Sequence, residues 1–183
     1  FLLHYGDVLT DQDLTALCRA HLAHGGLGTL LLHQRPGSNS VVVVEPEPHA
    51  DERGLFARTF CAEEFERAGL EPELAQCSTS FSHRRGTLRG LHYQAAPFGE
   101  DKLVRCTRGR IWDVALDLRP ESPAYLRHFA LELSAENRLQ LYLPPQVAHG
   151  FLTLEDGCEV SYAMSVPYVA EAARGVRWND PAF

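Results

Sequence analysis

Through most of this chain apolar and polar residues alternate with a period of two, which is the mark of half-buried strands. Phe129, Leu131 and Leu133 alternate with polar or small partners, as do Leu139, Leu141 and Leu143. Trp112, Val114, Leu116 and Leu118 share one face of a strand, while Asp113, Ala115 and Asp117 share the other. Val41 to Val44 is a β-branched run, closed by Pro46 and Pro48. From Leu74 to Tyr168 short strands follow one another, punctuated by Gly109, Pro120, Pro123, Pro144-Pro145 and Gly157. That spacing predicts an antiparallel sandwich or barrel, with a jelly roll foremost. An immunoglobulin-like sandwich is the alternative, and no cysteine or tryptophan spacing supports it. One helical stretch stands out, Ala62 to Ala68, ended by Gly69.

The first 35 residues read differently, as strand, helix, strand. Thr10 is placed to cap a helix with Asp13 in its first turn, and Leu14, Leu17, Cys18 and Leu22 recur at helical spacing before Gly25-Gly26. Leu27 to His33 then returns as an extended run, giving a βαβ unit. The piece reading YGDVLTDQDLTAL, followed by GTLLLHQRP, resembles sugar-1-phosphate nucleotidyltransferases. The resemblance implies that Asp7 falls at that family's nucleotide and metal site, but the glycine-rich nucleotide loop is absent. Residues 1–40 are therefore expected to be a non-functional appendage, joined through Pro36-Gly37-Ser38-Asn39-Ser40 to a β-domain over 41–183.

Composition narrows the choice of partners. Seventeen basic against 24 acidic residues give a net charge of −7, which argues against nucleic acid and anionic membranes as partners. Any anionic ligand must then be held by a local basic cluster. No apolar run approaches the roughly 20 residues of a membrane span, and Phe1-Leu2-Leu3 is too short for a signal-peptide core. Five scattered cysteines without a C-x-x-C pair suit neither a disulfide framework nor a zinc site. They read as small buried residues in a reducing, cytoplasmic setting.

Candidate chemistry centres on Arg89-Gly90-Leu91-His92-Tyr93-Gln94, where a cation, an imidazole and a phenol fall within six residues. Imidazole takes a proton near neutral pH without help. His149 follows in Ala148-His149-Gly150-Phe151, then Tyr162, with Lys102 between the two histidines. By parity Cys158, Val160, Tyr162 and Met164 share one face, so Tyr162 is expected inside the barrel. Asp113, inward beside Ala115, needs a partner to be buried, and His149 is the expected one. A metal site lacks its ligand set, since His92-Tyr93-Gln94 is not H-x-H and Glu100 falls in a loop. Ser78, Ser80 and Ser82 alternate upstream without a nucleophile elbow, and are expected to line a groove or bond to backbone. What remains is proton transfer: a His to remove a proton, a Tyr to donate one, and a Lys or Arg to steady an oxyanion.

Several ordered motifs then bear on identity: DERGLF (51–56), the serine-rich run after Gln76, GTLRGLHYQ (86–94), KLVRCTRGRIWDVALDLRPESP (102–123), LYLPPQVAHGF (141–151) and RGVRWNDP (174–181). From about Val41 onward the chain resembles the dTDP-4-dehydrorhamnose 3,5-epimerases, cupin enzymes of deoxysugar biosynthesis. The resemblance implies a mainly β, cupin-type jelly-roll barrel and cofactor-free, metal-free epimerisation at C3 and C5 of a dTDP-4-keto-6-deoxyhexose. It implies His92 as base, Tyr162 as acid and Lys102 as enolate stabiliser. Arg89 falls on a diphosphate-binding position, Gln76, just before the serine-rich run, on a substrate-binding one, and Tyr168 near the nucleotide base. Arg53 and Phe56 fall on positions contributed across a homodimer by strand exchange. His149, supported by Asp113, lies at the active centre.

The chain also departs from that pattern. Members continue beyond Trp178-Asn179-Asp180-Pro181 into a Ser-x-x-Asp whose carboxylate orients the base, whereas this sequence stops at Phe183. Gln146 replaces a glycine where a turn favours positive φ, and Ser78 stands where many members carry Asn. The competing expectations are therefore a catalytically weak nucleotide-sugar-binding cupin, or a 3-epimerase only.

Overall fold

The computed structural model describes residues 41–182. The expected N-terminal βαβ piece, its Asp7 and Cys18, and the joint at 36–40 lie outside the described residues. β-branched and alternating segments pair, as expected, into two five-stranded antiparallel sheets. The first has the order β1-β9-β6-β11-β4, built from Val42–Val44, Gln140–Leu143, Lys102–Arg108, Cys158–Met164 and Gln76–Ser82. The second has the order β12-β5-β10-β7-β8, built from Ala173–Gly175, Leu88–Gln94, Val147–Thr153, Arg110–Asp117 and His128–Ser134. A separate hairpin, β2 (Pro48–Asp51) with β3 (Gly54–Ala57), stands apart from both.

The alternating residues fill the space between the sheets. Val104, Cys106, Leu141, Leu143 and Val160 from the first meet Ile111, Ala115, Leu133, Val147 and Phe151 from the second in one core cluster. Each fully buried Leu, Ile or Phe of this set is worth roughly 1.5–3 kcal/mol over the exposed state. The outer face of the first sheet is covered by α1, Ala62–Arg67, whose Phe65 packs with Val42, Val44, Leu103 and Tyr142. Gly69, with φ +71°, ends that helix where the sequence placed its stop. Cys106 and Cys158 are buried as expected, and burial pushes the Cys106 thiol up to about 11, so it stays protonated. Cys77 is exposed, contrary to expectation, because β4 is an edge strand and its odd-numbered residues face outward.

The turn after β7 is pinned by Asp117. Its carboxylate accepts two bonds from the Arg119 guanidinium (2.9 and 2.5 Å) and one from the Ser122 hydroxyl (2.6 Å). Burial pushes this carboxyl up, but Arg119 and Ser122 more than offset it and hold it below the usual 3.8. A depressed folded value means that the stabilisation is complete above the unfolded value and is lost as pH falls through the folded one. Arg119→Met is expected to lower stability by about 2–3 kcal/mol at pH 7. Urea denaturation at a series of pH values should show that gap closing below about pH 4.

Candidate functional site

The ladder registers decide which polar side chains enter the space between the sheets. Directly opposed residues in an antiparallel pair project to the same face. In the first sheet Gln76, Met164, Lys102 and Leu143 form one inward row, and Ser78, Tyr162, Val104 and Leu141 the next. In the second sheet His92, His149 and Ala115 form a row, and Arg89, Phe151 and Asp113 another.

Arg89 and His92 are three residues apart, so a regular strand would send them to opposite faces. A bulge in β5 prevents this: two steps along β10, from His149 to Phe151, match three along β5, from His92 to Arg89. Two glycines allow the close approach. A Cβ on Gly90, where φ is +102°, would lie 2.5 Å from the Gly150 Cα, and one on Gly150 would lie 2.7 Å from the Arg89 carbonyl oxygen. The glycines of Arg89-Gly90-Leu91 and His149-Gly150-Phe151 are thus needed to turn both the cation and the imidazole inward.

His149 is buried, and its Nε2 lies 2.8 Å from Asp113 Oδ1, the partnership expected from sequence. Asp113 is fully buried, and its Oδ2 has no hydrogen-bond partner among the described residues. The Tyr162 ring stands edge-on to His149 at 6.0 Å, and its hydroxyl meets Ser80 Oγ at 3.3 Å. Burial pushes the Tyr162 phenol up to about 12 and Asp113 adds to this, against the Ser80 hydrogen bond and the Arg89 charge. The phenol is therefore a proton donor throughout the neutral range. Arg89 donates to Ser82 Oγ (3.0 Å) and the Phe81 carbonyl (3.1 Å), which fixes the guanidinium at the rim. The alternating serines bond to side chains rather than to backbone: Ser80 to Tyr162, Ser82 to Arg89, and Ser78 accepting from Gln76 Nε2 at 3.4 Å.

His92 is exposed at the mouth rather than buried, with Gly175 of β12 close enough that an added Cβ would lie 3.4 Å from its Cδ2. None of the described residues sets a carboxylate against its ring. Tyr168 follows β11 and is exposed, its backbone N–H donating to Gln76 Oε1 at 3.0 Å. Buried Gln94 ties down that segment, accepting from Val169 N–H (2.6 Å) and donating to the carbonyls of Pro167 and Phe98. Arg53 and Phe56 are not brought to this interior. They sit on the β2–β3 hairpin, with Phe56 73% exposed and Arg53 bonded to Asp51. Sequence reasoning missed Glu100, whose carboxylate lies 2.7 Å from Lys102 Nζ. The signal was its position two residues before Lys102, at a strand entry where such residues share a face. Among the described residues no group of three potential metal ligands is found.

Both the fold and the sequence have counterparts elsewhere. The family model described as dTDP-4-dehydrorhamnose 3,5-epimerase matches residues 38–183. A dTDP-4-dehydrorhamnose 3,5-epimerase of Sinorhizobium fredii is 44% identical over 142 residues, 78% of this chain and 73% of its own length. The crystal structure of the Elizabethkingia anophelis enzyme of that name superposes with a TM-score of 0.79 at 37% identity, covering 86% of this chain and 84% of its own. A Legionella pneumophila epimerase crystallised with dTDP-4-keto-L-rhamnose has a TM-score of 0.73 at 34% identity, covering 78% and 75%. With family model, sequence relatives and fold in agreement, the chain belongs to the dTDP-4-dehydrorhamnose 3,5-epimerase family.

Proposed function

We propose that the chain epimerises dTDP-4-dehydro-6-deoxy-D-glucose at C3 and C5, giving dTDP-4-dehydro-L-rhamnose. The observation that carries this reading is the placement of His92 and Tyr162 on opposing sheets with both side chains directed to one interior. The protons at C3 and C5 are acidified by the C4 ketone between them. His92 removes each in turn from one side of the sugar ring, and the Lys102 ammonium stabilises the oxyanion that develops at C4. Tyr162, held protonated by burial, returns a proton from the opposite side, so the carbon inverts. General acid–base steps of this kind are worth about 10²–10⁴-fold each.

Arg89 takes the diphosphate, supplying local positive charge on a protein of net −7. Gln76 orients the Tyr168 segment, whose aromatic side chain packs near the nucleotide base. Arg53 and Phe56 complete the site of a second copy through the exposed β2–β3 hairpin. A homodimer is further supported by the apolar outer face of the second sheet, where Leu88, Trp112 and Leu152 are exposed. Four free cysteines among the described residues support a reducing, cytoplasmic setting. No helix of the described residues is long and apolar enough to cross a membrane.

Incubation with the 4-keto-6-deoxyglucose nucleotide in D₂O, followed by proton NMR, tests the assignment. Deuterium should enter at both C3 and C5. Entry at C3 alone would make the chain a 3-epimerase, and binding without entry would make it a nucleotide-sugar-binding cupin.

A further inference from the structure

Among the 183 residues there is a single lysine, Lys102; every other basic side chain is an arginine. That lysine opens β6 on the inward row, between Leu143 and Met164, and its side chain is only 14% exposed. An unpaired ammonium in such a place is strongly disfavoured by its lost hydration. Glu100 offsets it: its carboxylate is 8% exposed and meets Lys102 Nζ at 2.7 Å. Asp101, between the two, is committed elsewhere, accepting from the Tyr142 hydroxyl and, at 3.3 Å, from the Ser165 hydroxyl. The other ionisable groups on the inward rows are Tyr162, Asp113, His149, His92 and Arg89, and none of them forms an ion pair with Lys102.

We infer that Glu100 is a positioning residue, holding Lys102 as a fixed buried ammonium for the ketone oxygen of the substrate. An ammonium carries three N–H donors, so one bond to Glu100 leaves two for a ligand. A compact point charge suits a single oxyanion, whereas the planar fork of arginine suits a carboxylate or phosphate. This deepens the epimerase reading and rests on it only for the kinetic part of its test.

The single lysine makes the direct test simple. With [¹⁵N]lysine labelling the chain gives one Nζ signal, and the hydrogen exchange of that ammonium reports its bond to Glu100. Glu100→Gln should accelerate that exchange about 10-fold or more; an unchanged rate would overturn the inference. In the kinetic part, Glu100→Gln should lower the turnover for C–H exchange about 10- to 100-fold while dTDP affinity stays within about twofold. In a Lys102→Met background it should cause no further loss. Additive losses would show that Glu100 acts on the fold rather than through the ammonium. If the wild-type chain shows no exchange with the sugar, the epimerase reading has failed, and the Nζ signal alone decides the role of Glu100.

Discussion

Replacing His92 by alanine should reduce deuterium entry from D₂O by at least about 10³-fold, within the range removed with a general base. The same variant should bind dTDP within about twofold of wild type, as read by isothermal titration. Both halves follow from the geometry. The imidazole is exposed and outside the core cluster, so its loss leaves no core cavity. Arg89 is fixed independently by Ser82 and the Phe81 carbonyl, so the end of the site proposed for the diphosphate should survive the change. A variant that kept most of its exchange rate would remove His92 from the chemistry.

Asp113→Asn should also be severe, with a loss of about 10²-fold or more, because it reorients the imidazole that stands beside the proton-donating Tyr162. An ionised carboxylate only accepts, so Asp113 Oδ1 requires the proton of His149 to sit on Nε2. The amide of asparagine can donate to that nitrogen instead, which drives the proton to Nδ1 and reverses the polarity of the ring beside Tyr162. The fold should tolerate the change, because Asp113 Oδ2 already lacks a hydrogen-bond partner among the described residues. A circular-dichroism melt close to wild type, together with lost turnover, is the expected combination. Intact turnover would show that His149 serves only to fill the core.

Much of this site is legible in the sequence, for a definite reason. Strand parity alone places Tyr162 inside and leaves Asp113 as an inward carboxylate that needs a donor, and the structure supplies His149 at 2.8 Å. Gln146 adopts φ +63° at the turn where a glycine was missed, so the strain read there is present. Parity also fails where the ladder is irregular. It would separate Arg89 from His92, and only the register shift in β5 shows that they share a face. Short or proline-led strands escaped as well: β2 begins at Pro48, and β12 has three residues whose identity as a strand comes entirely from pairing with β5. Glu100 lies in the loop before β6, as expected from sequence; only its ion pair with Lys102 was not read there.

In the proposed mechanism, proton removal and proton return occur from opposite sides of one ring, by His92 and Tyr162. Tyr162→Phe in D₂O separates the two events in a single NMR time course. With the phenol gone, His92 can still form the enolate and return a deuteron to the side it came from. Deuterium entry at unchanged configuration should persist while inverted product falls by about 10²-fold or more. Undiminished inversion by the phenylalanine variant would contradict it.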